Sequence, residues 1–239
     1  MSLSKQQAAI LRSHTREATR ENNRLRKGVS RTHNRLLHRP RLNARLILCA
    51  SHFLFDGSLN HSRAAYYNRS KTLIDQQRSL VMTLFRRDGR FRQLKGDVIE
   101  YAIDSVEFVR FIQGVTTTIV EHGRSFRRHW KRMVLRAFFD DEGNVYISRD
   151  GRDRRVRGYQ YNVMILRLIQ ELLTEFQIHA TISRSSHCVE IKSRSELIRF
   201  RKEIGFLPGI RLNPDRKNSI WKEPIEKREL LNRAIASFR

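Results

Sequence analysis

Apolar positions fall into two stretches that read as helices and break off in the same way. One is Leu135-Arg136-Ala137-Phe138-Phe139-Asp140-Asp141-Glu142-Gly143, apolar with one small residue, Ala137, and then acidic. Gly143 fits the left-handed position that stops a helix. Glu142 then lies in the last turn, where the helix macrodipole already presents negative charge, so a carboxylate there calls for a cation. Gly143-Asn144 is a turn signal into the strand-like run Val145-Tyr146-Ile147. The other stretch is Cys49-Ala50-Ser51-His52-Phe53-Leu54-Phe55-Asp56-Gly57. It carries a small residue, Ser51, where the later one has Ala137, and an acid, Asp56, where the later one has Glu142, 86 residues on.

The echo extends well past these nine residues. Leu73-Ile74 and Val81-Met82 with Phe85 recur as Met164-Ile165 and Leu172-Leu173 with Phe176, 91 residues later. Val98-Ile99-Glu100-Tyr101 recurs as Cys188-Val189-Glu190-Ile191, 90 residues on, and Val106 to Phe111 recurs as Ser195 to Phe200, 89 residues on. Landmarks in one order, with offsets that drift by loop-sized amounts, mark a tandem duplication. Each copy reads helix, strand pair, helix, strand pair, helix.

Individual elements follow. A first helix covers 46–56, a hairpin Ser58 to Tyr67, and a helix capped by Ser70 runs from Lys71 to Phe85. Strand signals return at Val98 to Ile103, and Asp104 or Ser105 caps a helix through Gln113. Thr116-Thr117-Thr118 then opens a linker-like stretch. In the second copy, Val145 to Ile147 pairs with Arg155 to Tyr159, a helix spans Asn162 to Phe176, and Ile178 to Ser183 pairs with Cys188 to Ile191. Ser193 or Ser195 caps the next helix. Beyond it, Trp221 anchors a tail whose charged helix runs from about Pro224 to Phe238.

Charge changes the picture. The 239 residues hold 48 Lys and Arg against 24 acids, a net charge of +24. Residues 1–45 alone carry twelve basic residues against Glu17 and Glu21, a basic arm suited to phosphate. Such a balance points to nucleic acid, and no apolar run approaches a membrane span, so a membrane partner is excluded as an expectation. Cys49 and Cys188 sit in apolar contexts and read as reduced core residues. No cysteine or histidine spacing matches a zinc site. The N-terminus has no secretory apolar segment; it fits a cytosolic, prokaryotic protein, with an organellar address as the alternative.

The doubled helix ending in Asp-Gly or Glu-Gly, each copy followed by hairpin and helix, resembles the LAGLIDADG homing endonucleases, closest to their single-chain, two-repeat kind. The resemblance covers roughly 41–205. It implies a mixed α/β fold of two pseudo-twofold αββαββα repeats whose antiparallel strands form a saddle on DNA. The division is 1–40 basic arm, 41–125 first repeat, 126–205 second repeat and 206–239 helical tail. It also implies an intron-encoded, site-specific endonuclease that hydrolyses both strands of duplex DNA as a monomer, with intron RNA as a further partner. The alternative is the same fold without cleavage, acting as an RNA maturase or DNA-binding regulator.

The implied site places Asp56 and Glu142 together at the ends of the paired helices, one acid per strand. Divalent Mg²⁺ or Mn²⁺ would be held by the two carboxylates, a backbone oxygen at Gly57 or Phe55, and one at Asp141 or Gly143. The family has a basic or amide residue near each acid; Arg69, Gln160 and Lys71 are the candidates, Arg69 and Gln160 corresponding at the offset of 91. A two-stranded ribbon fits the major groove. The alternating polar positions suited to it are Asn60, Arg63, Tyr67 and Arg69 in one copy and Arg155, Arg157, Tyr159 and Gln160 in the other.

Overall fold

The computed structural model describes residues 38–148, 150–212, 221 and 223–238. The basic arm lies outside these apart from its last three residues, as does the tail around Pro214, Arg216 and Lys217.

Helix α1, Ala44–Asp56, runs directly into β1, Gly57–Leu59. There follow β2 (Arg63–Asn68), α2 (Lys71–Phe85), β3 (Arg90–Gln93), β4 (Ile99–Asp104) and α3 (Val106–His122). The order then repeats: α4 (Arg128–Glu142), β5 (Gly143–Ile147), β6 (Arg154–Tyr159), α5 (Val163–Thr174), β7 (Thr181–Ser183), β8 (Cys188–Ile191) and α6 (Arg194–Glu203). One further helix, α7, spans Lys227–Ala236. Two antiparallel four-stranded sheets result, ordered β1-β2-β4-β3 and β5-β6-β8-β7, so both copies have the same topology.

Local chemistry explains the boundaries. The side chains of Asn43, Ser105, Asn162 and Ser193 each accept an amide hydrogen bond at the start of α1, α3, α5 and α6. Helix α3 overrides the linker expected after Gln113 and continues to His122. Val115, Thr116 and Ile119 are buried, and the Thr116 and Thr118 hydroxyls donate to the carbonyls of Gln113 and Gly114. Packing outweighs the weak helix propensity of the threonines.

Gly57 and Gly143 are not left-handed caps. Their φ/ψ values are −111°/166° and −82°/148°, ordinary extended backbone. Glycine is required for space: a β-carbon at Gly57 would lie 2.3 Å from the Phe53 carbonyl oxygen, and at Gly143 2.2 Å from that of Phe139. The chain turns from helix to strand with no gap, which brings the first strand against the last helical turn.

Helices α1 and α4 lie side by side at the centre, and a single connected core joins them to both sheets. Ser51 and Ala137, the small residues of the two stretches, are fully buried there. Helix α7 packs on β5, β6 and α6. Among the described residues no helix is long and apolar enough to cross a membrane.

Strand register corrects two correspondences between the copies. Gly57 faces Tyr66 and Gly143 faces Gly158, so Tyr66 is the counterpart of Gly158 and Asn68, not Arg69, that of Gln160. Tyr66 pairs with Tyr101 and Gly158 with Val189, which sets Tyr101 level with Val189 and Glu100 level with Cys188. A slip of two residues keeps every side chain on its face, so hydrophobic alternation alone does not reveal it; a slip of one flips the face.

Candidate functional site

The ends of α1 and α4 meet in a buried polar seam. Asp56 closes α1, and its Oδ2 accepts from Asn68 Nδ2 at 2.9 Å. The same amide reaches the Tyr66 hydroxyl at 3.3 Å, which donates to Asp141 Oδ1 of α4 at 2.6 Å. Asp141 Oδ2 pairs with Nδ1 of His52 on α1 at 2.8 Å, with both side chains fully buried. Nε2 of His52 meets Gln76 Oε1 at 3.2 Å. A continuous chain of polar contacts thus links Asp56, Asn68, Tyr66, Asp141, His52 and Gln76.

Electrostatics follow from burial. Loss of solvent and the nearby Asp141 carboxylate push Asp56 up to about 7, against the pull of Lys227, His52 and the Asn68 hydrogen bond. Burial disfavours charge on His52, yet the Asp141 and Asp140 carboxylates and Gln76 hold it above its ordinary value. Both of its ring nitrogens face acceptors, which suits the imidazolium.

The three consecutive acids of α4 serve different neighbours. Asp140 turns to the tail, where its Oδ1 accepts the Leu207 amide at 2.8 Å; burial pushes it up to about 6, opposed by that amide and by Lys227. Buried Lys227 donates to the Asp140 carbonyl oxygen at 2.8 Å, placing a cation at the negative end of the α4 dipole. Asp141 crosses to the first copy. Glu142 is half-buried at the last position of α4, where Gly143 begins the sheet.

The candidate basic and amide residues make the following contacts. Lys71 is exposed and pairs with Asp75 at 2.7 Å. Arg69 is exposed, its guanidinium extending toward Gly96. Gln160 Oε1 accepts the Asn162 amide at 3.2 Å at the start of α5. Contact with Asp56 falls instead to Asn68. Sequence reasoning missed His52, Tyr66, Asn68, Gln76 and Lys227, and took Asp141 only for its backbone. The period-two pattern of Arg63-Ala64-Ala65-Tyr66-Tyr67-Asn68 held a usable signal: Tyr66 and Asn68 share the inner face with Ala64, whereas Arg63 and Tyr67 share the outer one.

Those outer faces carry the candidate DNA contacts. On the first sheet, Arg63, Tyr67, Arg90 and Arg92 share a face with Glu100 and Asp104. On the second, Arg155, Arg157, Tyr159, Asn144 and Tyr146 share one with Glu190. Asn60 is exposed in the loop between β1 and β2. The Tyr146 ring lies under the guanidinium groups of Arg157 and Arg155 at 4.7 and 5.8 Å.

Among the described residues no group of three or more His, Cys, Asp or Glu is arranged to hold a metal ion by itself. The available donors are all hard oxygens: the Asp56 and Glu142 carboxylates and neighbouring backbone carbonyls. Two residues after Glu142 in the chain, the Asn144 Oδ1 is buried with no hydrogen-bond partner among the described residues. This set fits a magnesium-like cation that takes one or two carboxylates and completes its shell with phosphate oxygens, and does not fit an all-protein cage.

Two duplicated αββαββα units, paired through helices that each end in an acid and a space-limited glycine, define the fold of the LAGLIDADG homing endonucleases. The chain carries a LAGLIDADG-like domain, whose family model matches residues 129–205. Solved structures share the fold. Mesophilic variants of the homing endonuclease I-DmoI superpose with a TM-score of 0.52 at 17% identity, over 67% of this chain and 90% of that one. An I-DmoI variant in complex with its target DNA in the presence of Mg gives 0.53 at 17% identity, over 67% and 95%. Full-length DUF199/WhiA from Thermatoga maritima gives 0.52 at 14% identity, over 88% of this chain and 66% of that one. No curated protein matches the sequence.

Proposed function

We propose that this chain is a site-specific endonuclease of duplex DNA that works with a divalent cation. The observation that carries the reading is the convergence at one seam of Asp56 and the acidic end of α4, under two sheets whose opposite faces bear arginines. The homing endonuclease I-DmoI, which shares the fold, is seen with its target DNA and Mg, and this supports a DNA partner and divalent metal. With both copies in one chain, a monomer suffices for an asymmetric site. Encoding within an intron and intron RNA binding go with this reading as proposals of the same kind.

In this mechanism the sheet faces bind the groove and set the register of the phosphates over the seam. Asp56 and Glu142, each at the end of its helix, would hold the cation together with backbone oxygens at Phe55 or Gly57 and at Asp141 or Gly143. The cation, once bound, supplies an activated water and stabilises the leaving oxygen. Asn68 fixes the Asp56 carboxylate through Oδ2, so its orientation is set before substrate arrives. The glycine-tight junction starts each first strand immediately after its acid, which fixes where the acid leaves the helix.

Incubating the protein with the intronless allele of its own gene and Mg²⁺ or Mn²⁺ should give a double-strand break with staggered ends. Asp56→Asn and Glu142→Gln should each lower cleavage by roughly a thousandfold, given the several kcal/mol a cation supplies, while DNA binding is kept. Tight binding with no break under either metal favours a second reading, a regulator or RNA maturase that binds without cutting. The fold likeness to WhiA supports that second reading.

A further inference from the structure

Each sheet carries a glutamate where the charge of the protein argues against one. Glu100 lies on β4 and Glu190 on β8, the inner strands of their sheets, and both project onto the arginine-bearing outer face. Each is only 6% exposed. On a face that only had to attract phosphate, an acid would oppose binding. A buried carboxylate is costly unless cations and hydrogen bonds surround it.

Cations meet both glutamates, three of them at Glu190 and one, Arg63, at Glu100. In the second sheet, Glu190 Oε1 accepts from Arg155 Nη1 at 2.9 Å and Arg157 Nε at 3.0 Å, and Oε2 pairs with Lys192 at 2.9 Å. Arg155 is also bound by Asp153 through Nε, at 2.7 Å, and Nη2, so acids engage all three of its nitrogens. Arg157 is held by Glu190 at Nε and hydrogen-bonded to Tyr159, with its guanidinium stacked on Tyr146. In the first sheet, Arg63 bonds Glu100 through Nη2 and Asp104 through Nη1. Ala65 and Ala102 lie between Arg63 and Glu100 on that face and are buried, so the arginine stem crosses the sheet over two methyl groups. The two acids occupy different register positions, Glu100 level with Cys188 and Glu190 level with Ala102. The shared feature is therefore an acid that binds arginine on this face and not one position of the repeat.

We propose that Glu190 is a positioning residue for base reading: it pins Arg157 on the second sheet through Nε, so that Arg157 presents a fixed donor edge to the major groove, while Glu100 on the first sheet ties Arg63 to Asp104 as a strut. Arg155 acts as a strut and not as a reader. The proposal rests on the DNA-binding reading above but not on cleavage. Rigid presentation matters because an arginine discriminates bases through bidentate geometry, whereas a loose one contributes only charge.

The test selects preferred duplexes from a random-sequence pool with the full chain in Ca²⁺, then compares affinity for the selected duplex and a scrambled one. Glu190→Gln removes a negative charge, so affinity for scrambled DNA should rise. Preference for the selected duplex should fall roughly tenfold, the discrimination carried by one good bidentate contact. The loss should be confined to bases on one side of the site, and Glu100→Gln, which frees a strut and not a reader, should leave that preference in place. Arg157→Lys keeps the charge and the fold but loses the planar fork; it should reduce the same preference without raising scrambled binding, and it decides the matter if Glu190→Gln does not fold. Equal gains on both duplexes for Glu190→Gln, or a preference untouched by Arg157→Lys, would overturn the positioning role. A pool that yields no preferred duplex at all would sink this inference and the site-specific reading together.

Discussion

The seam between α1 and α4 contains the same contact twice, built from opposite chemistries. The fourth residue of each nine-residue stretch meets the seventh of the other. In one instance His52 pairs with Asp141 as a buried ion pair at 2.8 Å. In the other, Phe138 meets Phe55 edge to face, ring centroids 5.2 Å apart. The sheets adapt accordingly. Tyr66 of β2 reaches in to hydrogen-bond Asp141 and packs its ring 5.5 Å from His52. Its counterpart is Gly158, where a β-carbon would lie 2.2 Å from Phe138. A pseudo-twofold axis fixes which positions touch; it leaves open whether they touch through charge or through rings. The polar copy of the contact is the one tied to Asp56, through Tyr66 and Asn68.

The largest expected effect comes from breaking one half of this equality. His52→Phe leaves the Asp141 carboxylate buried without its cation and should destabilise the fold by about 3–5 kcal/mol, the usual result of removing one partner of a buried pair. Converting the whole polar contact to its apolar twin, His52→Phe with Asp141→Phe and Tyr66→Gly, should recover most of that loss, since a packed apolar replacement of a buried pair is often neutral or better. Urea unfolding of the two variants measures both numbers. A single substitution as stable as the parent would mean that the ion pair contributes nothing beyond volume.

Much of this was legible in the sequence and some of it was not. The duplication, the strand and helix order and the two acid-glycine ends follow from periodicity, because both copies must bury the same faces. The seam partners did not follow, because His52 and Asp141 are 89 residues apart and neither position looks polar by analogy with its copy, where phenylalanine stands. A glycine after a helix most often marks a left-handed cap, but at Gly143 the constraint is the Phe139 carbonyl, which exists only once the strand folds back. The offset that aligns the helices sets Arg69 against Gln160, one residue out of step with the strands, since an offset measured on helices does not fix a hairpin's register.

A second test separates the polar contact from the apolar one by pH. Asp56 is raised to about 7 and His52 above its ordinary 6.5, so both bind protons more tightly in the folded chain than in the unfolded one. The stability contributed by such groups is fully present below the unfolded values and is lost as pH rises through the folded ones. Melting temperature should therefore already fall from pH 5 to about pH 7 as Asp56 titrates, and further above 6.5 as His52 does, by several degrees at roughly 2–4 °C per kcal/mol for a chain of this size. Asp56→Asn should flatten that decline, and the triple apolar variant should flatten it further. The groups shifted downward, such as Glu190, titrate mainly below this window and touch only its acid end. Parallel melting curves for parent and variants would show that the seam does not titrate as described.

The smallest effect concerns the small residues. Ser51 and Ala137 occupy the same position of the two stretches and both are fully buried. The Ser51 hydroxyl has no hydrogen-bond partner among the described residues. A buried polar group left unpaired costs about 1–3 kcal/mol, against which the native chain gains nothing visible at that atom. Ser51→Ala makes the first helix identical to the second at this point and removes the unpaired oxygen without opening more than one atom's volume. The expected outcome is a gain of about 1 kcal/mol in unfolding free energy, at the low end of that range because a hydroxyl can rotate toward a backbone carbonyl of its own helix. Chemical denaturation at constant m-value reads this directly. A loss of stability instead would mean that the hydroxyl does hold a partner at the seam, and that the polar character of the first copy extends from His52 and Asp141 back along the helix to Ser51.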